Sequence, residues 1–367
     1  MKKYVKHFGI FLLVILWAVL AVFAWVKPAG TTSDAERRPL AQFPEITGDS
    51  LLSGKFVTEF EDYTLDQFPG RDLFRQLKAL VHYNVFGQKD NNGIYIADGY
   101  AAKLDYPVNE KDLGHALDRL NFVYETYLKD TGSKVYASVI PDKGYYLAEA
   151  NGYPAMDYNA LFAAVQSRLP FATYIDITQQ LNYTDYYYTD THWRQEKLLP
   201  VAQKLSQAME LSAPKAEDFT PVTLDKPFYG VYYGQAALAM EPEALNVMES
   251  DLLKDCQVYD FETNTYTPVY NLEKLQGKDP YDVFLSGAKS LIRIENPNAA
   301  SDKELLIFRD SFGSSIAPLL VQDYKTVTLV DIRYLDSRML GNFLEFSGQD
   351  VLFLYSTLVL NSGSTLK

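Results

Sequence analysis

Cysteine is almost missing from this chain: Cys256 is the single one in 367 residues. That excludes an intramolecular disulfide and any metal site built from thiolate pairs. Histidine is nearly as scarce, with four in all, at positions 7, 82, 115 and 192. They do not cluster and there is no Cys-x-x-Cys, so no metal or other cofactor is expected. Positive charge is short as well: 34 Lys and Arg stand against 47 Asp and Glu, a formal net charge of −13. No basic patch stands out, which argues against nucleic acid as a partner and gives no special attraction to an anionic bilayer. Internal repeats and low-complexity tracts are missing too. An apolar content of 47% rules out disorder as a global state.

Aromatic residues, by contrast, are abundant, with 28 Tyr, 21 Phe and 3 Trp. Tyrosine joins an apolar ring to a hydroxyl, which suits carbohydrate-facing clefts and equally suits cores and interfaces. The length accommodates one enlarged domain or two modest ones. Lys2, Lys3 and Lys6 precede an uncharged apolar run from Phe8 to Val26. As a helix this run rises about 28 Å, close to the thickness of a bilayer's hydrocarbon core. The flanking lysines predict a cytoplasmic N-terminus, with the rest of the chain outside, at a bacterial surface or in the periplasm. A cleaved signal peptide is the competing reading. The length of the run, and the lack of a small-x-small site before Lys27-Pro28, favour an uncleaved single-pass anchor over residues 1–28. Residues 29–50 read as a tether, and 51–367 as the folded domain.

Within that domain the pattern alternates. Leu51 to Phe86 is helical but broken at Pro69-Gly70, which predicts two helices. Asn91–Gly99 reads as turn, strand and turn. Lys111–Lys129 predicts an amphipathic helix leading into a buried strand from Lys134. Helix and strand recur at Tyr158–Leu169 with Ala172–Ile177, and Glu196–Met209 is helical with Pro200 tolerated near its first turn. From about 215 to 300 the rhythm breaks into a β-rich insertion, a lid or an extra sheet, with one helix expected at Glu241–Leu253. It resumes with strand Glu304–Phe308, helix Phe312–Gln322, strand Thr326–Val330, helix Ser337–Phe346 and strand Val351–Tyr355. Strands alternating with helices imply an α/β fold, a mostly parallel sheet covered on both faces.

Two stretches carry chemistry. In Asp190-Thr-His192 the acid and imidazole stand two residues apart, on one side of an extended or turned backbone. An Asp so placed holds one ring nitrogen and leaves the other free to move a proton. The bland alternative is a helix cap. His7 borders the apolar run, and His82 and His115 lie in helical patterns, which leaves His192 as the candidate. The second stretch is Leu305-Leu-Ile-Phe-Arg309-Asp310-Ser311-Phe312-Gly313. Catalytic groups of α/β sheets gather beyond the carboxyl ends of strands, and this strand delivers Ser311 there. Ser311 alone would be an ordinary N-cap. Together with Asp190 and His192 it completes a Ser-His-Asp triad, with the backbone N–H groups of Phe312 to Ser314 available to an oxyanion.

Asp190-Thr-His192-Trp193 with Arg309-Asp-Ser311-Phe312 resemble the DHHW-motif family and the wider SGNH-hydrolase-like group that includes the periplasmic alginate O-acetyltransferases. Asp66–Arg71, Ile140–Lys143, Phe228–Gly234 and Val330–Tyr334 follow in the same order. The resemblance implies a three-layer α/β/α fold of SGNH type in permuted order. It implies Ser311 as nucleophile, His192 as base and Asp190 as orienter of an O-acyltransferase or esterase. A polysaccharide acceptor is implied, as is a membrane-bound O-acyltransferase that supplies the acyl group. A silent glycan-binding or scaffolding module is the rival reading. Two positions depart from the pattern. Arg309 stands where hydrolases have Gly before Asp-Ser, and Thr191 where the DHHW family usually has His. Around these, Trp193 either walls the site or packs in the core, and Lys143 either reaches the cleft or is a solvated loop lysine. Arg309 either pairs with Asp310 or anchors an anionic sugar or phosphate. Tyr232, Tyr233 and Arg333 are candidates for a glycan-facing surface. Asp310 with Asp331 is a weaker, glycosidase-like alternative.

Overall fold

Near-continuous runs of branched and aromatic residues make strands that are buried on both faces, and here they line up into one sheet. The computed structural model describes residues 2–33 and 35–367. The side chains of residues 2–6, on which the expected orientation of the span turns, lie outside the described part. Two compact units are formed, residues 1–91 with 233–239, and residues 92–232 with 240–367.

The first unit contains the helix Lys2–Val26, whose stretch His7–Val26 is long and apolar enough to cross a membrane. The Pro-Gly break separates the helices Lys55–Asp66 and Arg71–Asn84, with Gly70 at φ +68° capping the second. Gly30, Arg38 and Ala41 of the expected tether are hydrogen-bonded to the end of the helix Lys55–Asp66 and the residue after it. The Gln67 side chain bonds the Gly30 N–H and the Gly30 and Ala41 carbonyls at 2.8 to 2.9 Å. Asp66 accepts from Arg38 and from the Ala41 N–H.

The second unit is built on an eight-stranded mixed sheet. Its spatial order is Thr265–Pro268, Gln257–Asp260, Leu291–Glu295, Thr326–Val330, Glu304–Arg309, Asp350–Ser356, Val135–Ile140 and Thr173–Tyr174. The last five of these run parallel, and the first three add an antiparallel extension. Alternate residues of each strand feed opposite faces. Leu305, Ile307, Leu352 and Leu354 pack on one side with Val201, Ala202 and Leu205 of the helix Leu199–Ala208. Leu306, Phe308, Val351 and Phe353 pack on the other with Leu113, Leu117 and Leu120 of the helix Glu110–Val123, and with Leu161 of Tyr158–Arg168. The result is three layers, α/β/α. Glu304–Arg309 lies centrally, with its two successor strands on opposite sides, so the chain reverses direction across the sheet beside Ser311. That is where such sheets open a crevice.

Several local expectations change. Glu243–Glu249 is a strand, not a helix, paired antiparallel with Thr220–Phe228. Its period-two burial, with Leu245 and Val247 inward, outweighs helix-forming composition. That hairpin is the extra sheet, whereas Gln257–Glu295 contributes the antiparallel strands of the main sheet. The helix after Ser311 is one α-turn, Gly313–Ile316, continued as a 3-10 turn Ala317–Leu320, because Pro318 has no N–H to extend the ladder. Ser337–Asn342 is likewise a 3-10 turn, and the strand expected at Ala172–Ile177 narrows to Thr173–Tyr174 at the sheet edge.

Candidate active site

Tyr186 and Trp193 bridge antiparallel and the Tyr187 N–H bonds the His192 carbonyl, so residues 187–192 form a closed loop. Inside it Asp190 is fully buried. Its Oδ1 accepts from the His192 backbone N–H at 3.0 Å and meets Nδ1 of the ring at 2.6 Å. Its Oδ2 accepts from the Val231 N–H at 2.8 Å. Gly230 makes this contact possible, since a Cβ there would fall onto the Asp190 backbone and Cβ. The ring's other nitrogen, Nε2, lies 2.7 Å from Ser311 Oγ. Asp190, His192 and Ser311, the last two 119 positions apart, thus make one hydrogen-bonded chain.

The imidazole is clamped. Tyr281 stacks on it with centroids 3.9 Å apart and planes 9° apart, and Phe312 packs against it at 4.9 Å. The Tyr281 hydroxyl donates to Ser315 Oγ at 2.8 Å, as does Trp193 Nε1. Trp193 is completely buried, so it is core. Its indole nitrogen, which also reaches the Phe312 carbonyl at 3.2 Å, ties the histidine loop to the turn after Ser311.

The turn that presents Ser311 is held by Asp310. Its Oδ1 accepts from the Phe312 N–H at 3.0 Å and its Oδ2 from the Ser356 N–H at 2.8 Å on the neighbouring strand. The Gly313 N–H goes to the Asp310 carbonyl and the Ser314 N–H to the Ser311 carbonyl. The amides of Phe312, Gly313 and Ser314, expected to face an oxyanion, are therefore already engaged. Among the described residues the Ser311 N–H has no acceptor. Asp310 is structural, which leaves no two-carboxylate site with Asp331.

Arg309 is fully buried; its guanidinium lies 3.9 Å from the Asp331 carboxylate and donates to the Asp310 backbone carbonyl at 3.3 Å rather than to the Asp310 carboxylate. Burial holds its pKa down, opposed by Asp331. It is closed to an anionic ligand. Arg333 donates to both oxygens of Asp331, at 2.9 and 2.6 Å. Gly313 lies over the Arg309 stem, where a Cβ would come within 2.7 Å of Arg309 Cβ. The large cation beside the nucleophile is thus accommodated by a glycine four residues on.

Lys143 is buried, not solvated. Its Nζ donates to the Tyr187 carbonyl at 2.7 Å, beneath the Asp190 loop. Burial pushes its pKa down to about 7 against the pull of Asp190, Glu243 and Asp142. Glu243, whose Oε2 accepts from the Thr189 N–H at 3.2 Å, is pushed up to about 7, again by burial. The Tyr232 ring lies 5.2 Å from Lys143 Nζ and its hydroxyl donates to Thr191 Oγ1, so Tyr232 packs behind the loop. Tyr281, Ser315, Gly230 and Glu243 were not predicted as parts of the site. Only Gly230 had a signal, inside the Phe228–Gly234 motif. Among the described residues no group of three or more His, Cys, Asp or Glu side chains converges as a metal site.

The domain is a three-layer α/β/α sandwich that brings Asp190, His192 and Ser311 into one hydrogen-bonded chain. Known structures share the fold. A DHHW family protein from Eubacterium siraeum superposes with a TM-score of 0.60 at 20% identity, over 75% of this chain and 94% of that one. Bacillus cereus PatB1, solved with a sulfonyl adduct, gives 0.57 at 18% identity, over 73% and 95%. The O-acetyltransferase domain of Pseudomonas putida AlgJ is more distant, at 0.45 and 16% identity over 73% and 92%. No protein-family model and no curated protein sequence matches the chain.

Proposed function

We propose that this chain is an extracytoplasmic serine O-acyltransferase, most simply an O-acetyltransferase, anchored by residues 8–26 and acting on a cell-surface or exported polysaccharide. The observation that carries the proposal is the 2.7 Å contact between Ser311 Oγ and His192 Nε2, continued at 2.6 Å from Nδ1 to the buried Asp190. A purely binding module has no need of this relay.

His192 takes the Ser311 proton as Oγ attacks the carbonyl carbon of an acyl donor. The new C–O bond forms, the donor's leaving-group bond breaks, and the proton passes from His192 to the departing oxygen. The Ser311 N–H faces the oxyanion of the tetrahedral intermediate. A sugar hydroxyl then gives its proton to His192, attacks the acyl-serine and releases Ser311. Water in place of the sugar makes the same site an esterase. Asp190 fixes the tautomer that leaves Nε2 unprotonated in the resting state. The acyl donor is expected from a membrane-bound O-acyltransferase, on the motif resemblance set out above.

The test is covalent labelling. A sulfonyl fluoride, followed by mass spectrometry, should modify Ser311 in the wild type and leave Ser311→Ala unmodified. Aryl acetate turnover should fall to background in Ser311→Ala and His192→Ala, with thermal unfolding unchanged. Full turnover in a folded Ser311→Ala protein rules out the triad.

A further inference from the structure

In a soluble helix the apolar stripe faces inward and the charged residues face water. The helix Arg71–Asn84 is inverted. Leu73, Phe74, Leu77 and Leu80 recur at helical spacing and form one stripe, and all four are exposed, at 67%, 44%, 54% and 53%. The opposite side carries Ala79, which is buried, and Arg75. Arg75 donates to the Gly234 carbonyl at 2.7 Å and pairs with Glu36 at 3.3 Å. The polar side is thus bound within the first unit, while the apolar side is left outward. Val85 and Phe86, just past the end of the helix, are 69% and 68% exposed. A soluble surface rarely tolerates a contiguous apolar patch of this kind.

The first unit also says where this face belongs. Trp25, at the end of the membrane-length helix, meets Phe60 of the helix Lys55–Asp66 with ring centroids 6.4 Å apart. Phe60 in turn stacks on Phe56 and packs with Phe43 and Tyr63, an aromatic group at the exit of the span. Lys27, the next residue after the span, lines a common cleft with Asp72 and Leu73, the start of the inverted helix. Tryptophan and tyrosine gather at the headgroup level of bilayers, and an apolar helical stripe beside them matches an interfacial helix.

We infer that the helix Arg71–Asn84 lies on the bilayer into which His7–Val26 inserts, with Leu73, Phe74, Leu77 and Leu80 at the boundary of headgroups and acyl chains. This rests on the span being inserted. The unit carries no strong excess of free cations, so attachment is by apolar burial and does not require anionic lipid. The contact makes the first unit a platform lying on the membrane.

The native Cys256 is buried, which permits site-specific labelling of introduced cysteines. The full chain, carrying Leu77→Cys or Leu80→Cys with an environment-sensitive fluorophore, is placed in phosphatidylcholine nanodiscs. Lys78→Cys, on the flank of the stripe, is the reference. Positions 77 and 80 should emit at shorter wavelength than 78 and be quenched several-fold more by a lipid carrying a shallow spin label. Equal, water-like emission at 77, 80 and 78 overturns the proposal. So does shielding seen only in native membranes, which would assign the face to a protein partner. Extraction at alkaline pH reports separately on the span, since a chain washed off the membrane has lost the anchor itself.

Discussion

Replacing Gly313 by alanine tests how the nucleophile is positioned. The added Cβ would lie 2.7 Å from Arg309 Cβ, 2.9 Å from Cγ and 3.2 Å from Cδ. Carbon atoms in contact need roughly 3.5–4.0 Å, so the turn must retreat by about 1 Å. Arg309 cannot yield easily, because its Cβ belongs to a strand paired to Asp350–Ser356 and its side chain is fully buried. The displacement therefore falls on the residues that carry Ser311. A 2.7 Å contact to His192 lengthened by that amount leaves hydrogen-bonding reach. A misplacement of about 1 Å corresponds to roughly 10²-fold in rate, and overpacking to about 1–3 kcal/mol in stability. The assay is the rate of sulfonylation at Ser311 alongside chemical denaturation. The double variant Gly313→Ala with Arg309→Gly removes the clashing stem while Asp331 keeps Arg333, and should recover labelling. Unchanged labelling and stability in Gly313→Ala would refute the argument, as would a double variant no faster than the single.

Three further outcomes follow from the site. Asp190→Asn should keep the fold yet lose roughly 10³–10⁴-fold in turnover, because an amide at this position permits the wrong imidazole tautomer; a loss below tenfold would contradict the orienting role. Tyr281→Leu removes the stacked ring and the bond to Ser315, and should destabilise the chain by about 2–4 kcal/mol while broadening the ring's orientation; wild-type unfolding and turnover would disprove the clamp. Lys143, held down to about 7 by burial, binds a proton more readily unfolded than folded, so stability should rise between about pH 7 and pH 10.5 and Lys143→Met should flatten that rise. Equal slopes in the two proteins by denaturation at several pH values would dismiss the assignment.

Asp190 and His192 were legible because a two-residue spacing is local, and Ser311 because a buried apolar run ending in Asp-Ser announces a strand that stops at a turn. The same local logic misjudged the amides after Ser311. The Asp310 carboxylate takes up the Phe312 N–H, a use visible only when Ser356 of an adjacent strand is in place. Tyr281 left no trace, since nothing near Asp279-Pro280-Tyr281 marks it for an imidazole on another segment. The Glu243–Glu249 strand was misread because acidic and apolar residues suit a helix until Thr220–Phe228 supplies a partner.

By itself the chain's order of residues determined the membrane-length helix, the alternation that builds a parallel sheet, and the acid, base and hydroxyl of the candidate site. The helix and the alternation follow from periodicity within single segments, and the three site residues from pairing a local Asp-x-His with a strand that ends in a serine. Tertiary structure decided the rest. It closed a 2.7 Å gap across 119 positions, buried Lys143 and Arg309, and spent the amides that looked available. It also turned the apolar side of Arg71–Asn84 outward. Desolvation, stacking and the choice of hydrogen-bond partner depend on what the fold brings alongside, and no window of sequence contains that neighbour.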